Sequence, residues 1–99
     1  VASWAKTLAS EVGMFGITVN NVLPGFTRTQ RLEQIIAERV EATGQPRDVI
    51  ERGMLASVPA QRFAEPAEIA AAIAFLASPA AGYVNGINLP VDGGRTQSL

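Results

Sequence analysis

The sequence predicts an α/β fold with parallel strands. Two short apolar segments and the long, largely helical stretch between them carry that expectation. The first segment, Ile17-Thr-Val-Asn-Asn-Val-Leu23, runs directly into Pro24-Gly25. β-Branched residues followed by a Pro-Gly break read as a buried strand that ends in a sharp loop. The second, Leu89-Pro-Val-Asp-Gly-Gly94, closes in a turn. A long helical connection between two strands implies a right-handed parallel crossover.

The elements follow in order. Val1, Ala5, Leu8 and Val12 recur on one helical face, with Trp4 beside it and Lys6, Ser10 and Glu11 turned elsewhere. Trp4 is expected in the core or at an interface between copies. Gly13 and Gly16 bracket a turn. Residues 17–23 are nearly all apolar, as in a parallel-sheet strand buried on both faces. Within it, Asn20 and Asn21 need hydrogen-bond partners. Leu32, Ile35, Ile36 and Val40 form a second stripe, opposite Glu33, Glu38, Arg39 and Glu41. Gly44-Gln45-Pro46 breaks it, and Pro46 suits the first position of a new helix that runs to Val58-Pro59. Glu65-Pro66-Ala67-Glu68 opens a further helix, with acids in its first turn and an Ile69, Ile73, Leu76 stripe among many alanines. Ser78-Pro79 stops it, and residues 87–91 are the last strand. Pro90 marks that strand as a sheet edge, because proline donates nothing to a ladder. Two strands cannot bury their own faces, so the first is expected to need another neighbour.

At 99 residues the chain makes at most one small domain. With 47% apolar and 17% charged residues it reads as globular. A net charge of −1 without a basic stripe speaks against a nucleic-acid partner. No run of apolar residues is long enough to span a membrane, and no signal-peptide pattern opens the chain. There is no Cys and no His. Thiolate nucleophiles, disulfides, zinc fingers and Ser-His-Asp triads are therefore excluded, no metal site is expected, and a cytoplasmic location fits.

In open α/β sheets, ligands bind just outside the carboxyl ends of the strands. The hexapeptide Pro24-Gly-Phe-Thr-Arg-Thr29 occupies such a place. Four blocks in this chain resemble the carboxyl-terminal part of the short-chain dehydrogenase/reductase family. They are Lys6-Thr-Leu-Ala-Ser-Glu-Val12 with Gly16-Ile-Thr-Val-Asn20; Pro24-Gly-Phe-Thr-Arg-Thr29; Pro59-Ala-Gln-Arg-Phe-Ala-Glu-Pro66 with Glu68-Ile-Ala70 and Phe75-Leu-Ala-Ser78; and Gly86-Ile-Asn-Leu-Pro-Val-Asp-Gly-Gly94. Each block alone is weak, but the four stand in the family's order and cover nearly the whole chain. The subgroup they most resemble is the 3-oxoacyl-acyl-carrier-protein reductases and the sugar and alcohol dehydrogenases similar to them.

The resemblance implies the C-terminal portion of a Rossmann-like, doubly wound parallel sheet, with residues 1–99 as one piece of a single NAD(P)-binding domain and a lid over about residues 30–58. It implies that Pro24, Gly25, Phe26, Thr27 and Thr29 lie along NAD or NADP. Gly25 would let the backbone approach the nicotinamide ring. Backbone groups at 26 and 27 would pair with the carboxamide, and the Thr29 hydroxyl would donate to a phosphate oxygen. Thr27 stands where the family often has an aliphatic residue, so only its backbone carries this role. Phe26, Leu32, Ile36, Met54 and Leu55 would face an apolar, small-molecule or acyl-carrier-linked carbonyl substrate, or serve as ordinary packing stripes. Arg28 and Arg31 read as solvated charges, and Asp92 as a turn former.

The family's glycine-rich phosphate loop, its catalytic Ser and its Tyr-x-x-x-Lys pair fall before the matched blocks, so no catalytic residue is expected here. Tyr83 is no substitute, because Ile87 and not Lys stands four residues on. Lys6 reads as a solvated helix residue. The implied whole is an NAD(P)-dependent oxidoreductase interconverting a carbonyl and a hydroxyl, assembled as a homodimer or homotetramer. A different class stays open: a non-catalytic fragment or paralogue acting only through assembly. An unrelated helical interaction module is the third alternative.

Overall fold

Parallel pairing joins the two predicted strands, and everything else hangs from that join. The structure, a computed structural model, describes residues 2–97. The element order is α1 (Ala2–Val12), β1 (Asn21–Pro24), α2 (Gln30–Thr43), α3 (Arg47–Leu55), α4 (Pro66–Leu76) and β2 (Asn88–Val91), with short 3-10 turns at Gly13–Phe15 and Pro79–Ala81. β1 and β2 pair in parallel, with Asn21 opposite Asn88 and Pro24 opposite Val91. Among the described residues the sheet has these two strands alone.

β1 is shorter than the apolar run that announces it, for a reason visible in the side chains. Residues 18–20 run beside 84–87 with asparagine amides interleaved among backbone bonds such as Gly86 N–H to the Val19 carbonyl at 2.9 Å. Asn85 Oδ1 accepts the Val19 N–H at 3.0 Å, Asn20 Nδ2 donates to the Val84 carbonyl at 3.1 Å, and Asn20 Oδ1 accepts from Ile87 N–H at 3.1 Å. Asn21 Nδ2 donates to Asn88 Oδ1 at 2.8 Å. Asn85 Nδ2 reaches back to the Ala9 carbonyl at 3.0 Å, which fastens the end of α1 to this seam. The amides of Asn20 and Asn21 are thus satisfied structurally, as buried or half-buried polar groups must be.

The strand is not buried on both faces, contrary to its composition. Leu23 is 41% exposed and Ile17 50%. With two strands and α4 as the main helical cover, there is not enough protein to bury both sides. α1 puts Ala5 and Ala9 in the interior and leaves Trp4 67% exposed, so Trp4 is not a core residue. Val1, which the helical stripe includes, lies outside the described residues. α4 has no buried residue, and Ile73 and Phe75 stand about half exposed.

The one well-formed core lies elsewhere. Leu32 and Ile36 from α2, Ile50 and Met54 from α3, and Phe63 pack together, with Phe26, Val40 and Leu55 against them. Thr29 starts α2: its Oγ1 accepts the Leu32 N–H at 3.2 Å. Gly44 ends α2 in the left-handed region. Pro46 precedes α3 as its N-cap and is not its first helical residue; its carbonyl accepts from Val49 and Ile50. α3 stops at Leu55, and the buried Val58 belongs to the connection that follows. The molecule measures 55 × 24 × 22 Å with a radius of gyration of 16.9 Å. That exceeds the roughly 13 Å of a compact 100-residue domain. The α2–α3 core and the sheet therefore sit side by side, not around one centre.

Gln61 adopts φ 57° in the turn that leads to Phe63. A side chain there crowds the following carbonyl, a strain that glycine lacks. Gln61→Gly should stabilise the fold by about 0.5–1 kcal/mol, measured as a shift in the chemical-denaturation midpoint.

Candidate functional site

The loop 24–29 leaves the carboxyl end of β1 under constraints at both ends. Gly25 N–H donates to the Val91 carbonyl at 3.0 Å, continuing the ladder by one step. Farther on, Ala64 N–H donates to the Phe26 carbonyl at 2.9 Å, and Arg28 N–H to the Ala64 carbonyl at 2.8 Å. These two bonds make Thr27 and Ala64 an isolated parallel bridge. The loop is thus held by β2 on one side and by residues 62–64 on the other.

Gly25 meets a structural requirement of its own. A Cβ at this position would lie 2.7 Å from Asp92 Cα and 2.8 Å from its Cβ. The missing side chain faces the turn after β2. Asp92 in turn organises that turn: its carboxylate accepts Gly94 N–H at 3.0 Å and Thr96 N–H at 2.9 Å. The hydrogen bond from Thr96 holds the Asp92 carboxyl below the usual carboxylate range, with the backbone donors of the turn adding to it. Gly93, at φ 65°, brings its backbone against Val58 and Ala60, and its carbonyl accepts the Ala60 N–H at 3.0 Å.

The expected site residues separate into three groups. Pro24, Thr27 and Thr29 line one shallow groove with Pro66, Ile69, Ala70 and Ile73 of α4. Among the described residues, the N–H groups of Phe26 and Thr27 and the Thr27 carbonyl carry no hydrogen bond. The Thr29 oxygen caps α2, which leaves its hydroxyl hydrogen available to an acceptor. Phe26 turns away and lines a cleft with Val58, Ala64 and the Asp92–Gly94 turn. Leu32, Ile36 and Met54 are only 1–6% exposed in the α2–α3 core, so their side chains pack against one another; Leu55 and Phe26 sit at the rim of that core.

Two aromatic–cation stacks flank the loop, and sequence reasoning missed both. The Phe26 and Phe63 rings meet edge to face, with centroids 6.3 Å apart. The Arg28 guanidinium lies 5.4 Å from the Phe63 centroid and pairs with Glu65 at 3.6 Å; the Arg95 guanidinium lies 4.6 Å from the Phe26 centroid. Arg28 is thus a surface charge, as expected, but one with partners. Only the recurrence of Arg and Phe near the loop hinted at this. Nearby, Arg62 grips Glu68 with a two-point fork at 2.7 and 2.8 Å, while Glu65 N–H donates to the same carboxylate at 2.9 Å. The Arg62 bond, then the Glu65 N–H, lower the Glu68 pKa to about 2. This locks the first turn of α4 to the segment that holds the loop.

Residues 1–96 match the sequence model of a family described as enoyl-(acyl carrier protein) reductase. The chain belongs to this family, the short-chain dehydrogenases/reductases. It is 44% identical over 94 residues to the 3-oxoacyl-acyl-carrier-protein reductase FabG of Vibrio cholerae, which covers 95% of this chain and 34% of that protein. A short-chain dehydrogenase family protein from Francisella tularensis superposes with a TM-score of 0.91 at 31% identity, over 98% of this chain and 40% of that one. An F189W variant of actinorhodin polyketide ketoreductase, solved with NADPH, gives a TM-score of 0.85 at 29% identity, over 98% of this chain and 37% of its own. The chain spans about a third of the length of the curated relative it matches. The fold is the expected α/β, Rossmann-like one, seen here as two parallel strands and their helices.

Two tests follow from this geometry. Gly25→Ala should destabilise the fold by about 1–3 kcal/mol, because strand end and turn must separate to admit a methyl group; denaturant unfolding reads it. For Glu68, folding lowers the pKa from 4.5 to about 2. Its contribution is therefore complete above pH 4.5 and is lost as the pH falls through about 2. Arg62→Ala should return the Glu68 carboxyl toward 4.5, flattening the stability profile in that window. Carboxyl titration by carbon-detected NMR measures the shift.

Proposed function

We propose that this chain is the carboxyl-terminal portion of one NAD(P)-binding Rossmann-like domain, lid included over about residues 30–58, in an oxidoreductase that interconverts a carbonyl and a hydroxyl. The observation that carries the reading is the set of free polar groups on loop 24–29. A nicotinamide carboxamide offers a carbonyl acceptor and an NH₂ group with two donors, and the unpaired Thr27 N–H and C=O can meet the acceptor and one of the donors. The residues present therefore fit NAD or NADP. Bound there, the dinucleotide would supply or accept the hydride.

The chain's own part is positional. The Val91–Gly25 and Phe26–Ala64 bonds fix the backbone of the loop before any ligand arrives, so little ordering is required on binding. Pro24, Ile69 and Ile73 give the groove an apolar wall, which keeps water from a ring lying there. Thr29, at the start of α2, adds a hydroxyl donor and the positive end of the helix, both of which favour a phosphate. Phe26 and Leu55 pack at the rim of the α2–α3 core and are only partly buried, which supports a contact of these two with an apolar substrate. The similarity to a 3-oxoacyl-acyl-carrier-protein reductase supports an acyl-carrier-linked or small carbonyl substrate.

By the family resemblance, the catalytic Tyr, Lys and Ser of such enzymes would fall outside the residues of this chain. The 99 residues alone should accordingly turn over no NADPH with a ketoester; spectrophotometric turnover by the pure chain would refute this. A cytoplasmic location and a homodimer or homotetramer complete the reading. Exposed apolar side chains on α4 and β1 support assembly, and no described helix is long and apolar enough to cross a membrane.

Thr29 separates a binding role from a structural one. Thr29→Asp keeps a capping oxygen and improves the helix start, so stability should hold within about 0.5 kcal/mol. Its charge should nonetheless weaken NAD(P) binding by at least tenfold in the protein that carries this chain. Equal dissociation constants for wild type and Thr29→Asp would remove Thr29 from the cofactor site.

A further inference from the structure

The turn after β2 does more than end a strand. Asp92 fixes it from both sides: its carboxylate takes the N–H groups of Gly94 and Thr96, and its carbonyl takes that of Arg95 at 3.3 Å. From this rigid base the Arg95 side chain makes two contacts on two different elements. Its guanidinium lies over the Phe26 ring at 4.6 Å. Its Nε donates to Ser57 Oγ at 3.2 Å. Ser57 stands just past α3, and its hydroxyl donates to the Met54 carbonyl at 3.5 Å, which leaves the oxygen to accept from Arg95. Phe26 belongs to the loop; Ser57 belongs to the lid.

We propose that Arg95 is a positioning residue that ties the lid to loop 24–29, holding Phe26 between its guanidinium and the Phe63 ring so that the Thr27 backbone stays presented. The proposal rests on the functional reading above and deepens it. The geometry calls for arginine. A planar cation can lie on a ring face while its Nε–H points sideways to a hydroxyl, whereas an ammonium group has no such fork. Both contacts are exposed and individually small, and they add to the backbone bonds of Gly25, Phe26 and Arg28 and to the Phe63 contact that also hold the loop. Losing the tether loosens Phe26 and the lid end beside it without unfolding the neighbouring elements.

The test uses the whole protein that carries this chain, as wild type, Arg95→Met, Arg95→Lys and Ser57→Ala. Two quantities are read: amide hydrogen exchange without cofactor at Arg28, the paired amide of segment 26–29, and over segment 55–58, and the dissociation constant for NAD(P). Arg95→Met keeps the aliphatic stem and removes the cation and the donor. It should raise exchange in both segments about three- to tenfold and weaken NAD(P) binding by a similar factor, with the melting temperature and exchange elsewhere unchanged. Arg95→Lys should fall between the two, since it restores a cation over the ring without the bond to Ser57. If Arg95→Met does not fold, Ser57→Ala should still raise exchange at 55–58 alone. Wild-type exchange in Arg95→Met, or a rise spread evenly over the molecule, would overturn the proposal, as would unchanged exchange in Ser57→Ala. A local rise in a protein whose wild type binds no NAD(P) would keep the tether and overturn the functional reading instead.

Discussion

The contact between Gly25 and Asp92 is the constraint on which the site depends. Two strand ends approach so closely that a methyl group has no room between them. That approach lets Gly25 N–H reach the Val91 carbonyl, carries the chain past Pro24 in a defined direction, and brings the Asp92 turn beside the loop. From there the turn holds Arg95 over Phe26 and Gly93 against Val58 and Ala60. Sheet, loop, turn and lid are therefore linked through one place where side-chain volume is excluded. A glycine that would be read as serving a ligand serves the fold first, and the loop geometry is its product.

The rest of the architecture divides into two parts with different sources of stability. The α2–α3 unit has a core of its own, completed by Phe63, and its helices carry ordinary caps and ion pairs, such as Arg47 to Glu33 and Glu51. The sheet has little apolar cover and is held by backbone bonds and by asparagine amides. Burial supplies most folding free energy, while individual hydrogen bonds add about 1 kcal/mol each. On that scale the α2–α3 unit is the more self-sufficient part, while Leu23, Ile73 and Phe75 stand exposed beside the strands.

Helix positions were legible in the sequence because period, caps and breaks agree there. The 32–40 stripe, Gly44, and Glu65-Pro66 all mark real boundaries to within a few residues. The parallel pairing was legible from the helical length between two apolar runs. What composition could not reveal was burial. An apolar run such as 17–23 implies a strand surrounded by protein only when neighbours exist, and here its first half is paired through amide side chains. The role of Leu32, Ile36 and Met54 was likewise ambiguous, because the same amphipathic stripe serves a core or a substrate face. The Arg95–Phe26 stack was out of reach: residues nearly 70 apart meet only once the β1–β2 register is known.

The asparagine seam has a chemical consequence. Asparagine amides are among the thermolabile side chains. Asn85 is followed by Gly86, and the backbone nitrogen of a residue without a side chain is the least hindered attacker of such an amide; here the Gly86 N–H is held by the Val19 carbonyl at 2.9 Å. Hydrolysis of the Asn85 amide would convert the Nδ2 donor into an oxygen facing the Ala9 carbonyl oxygen, where α1 is fastened to the strands. An attraction would become a repulsion without any change in the encoded sequence, so the Val19–Gly86 bond also guards the join of the first helix to the sheet.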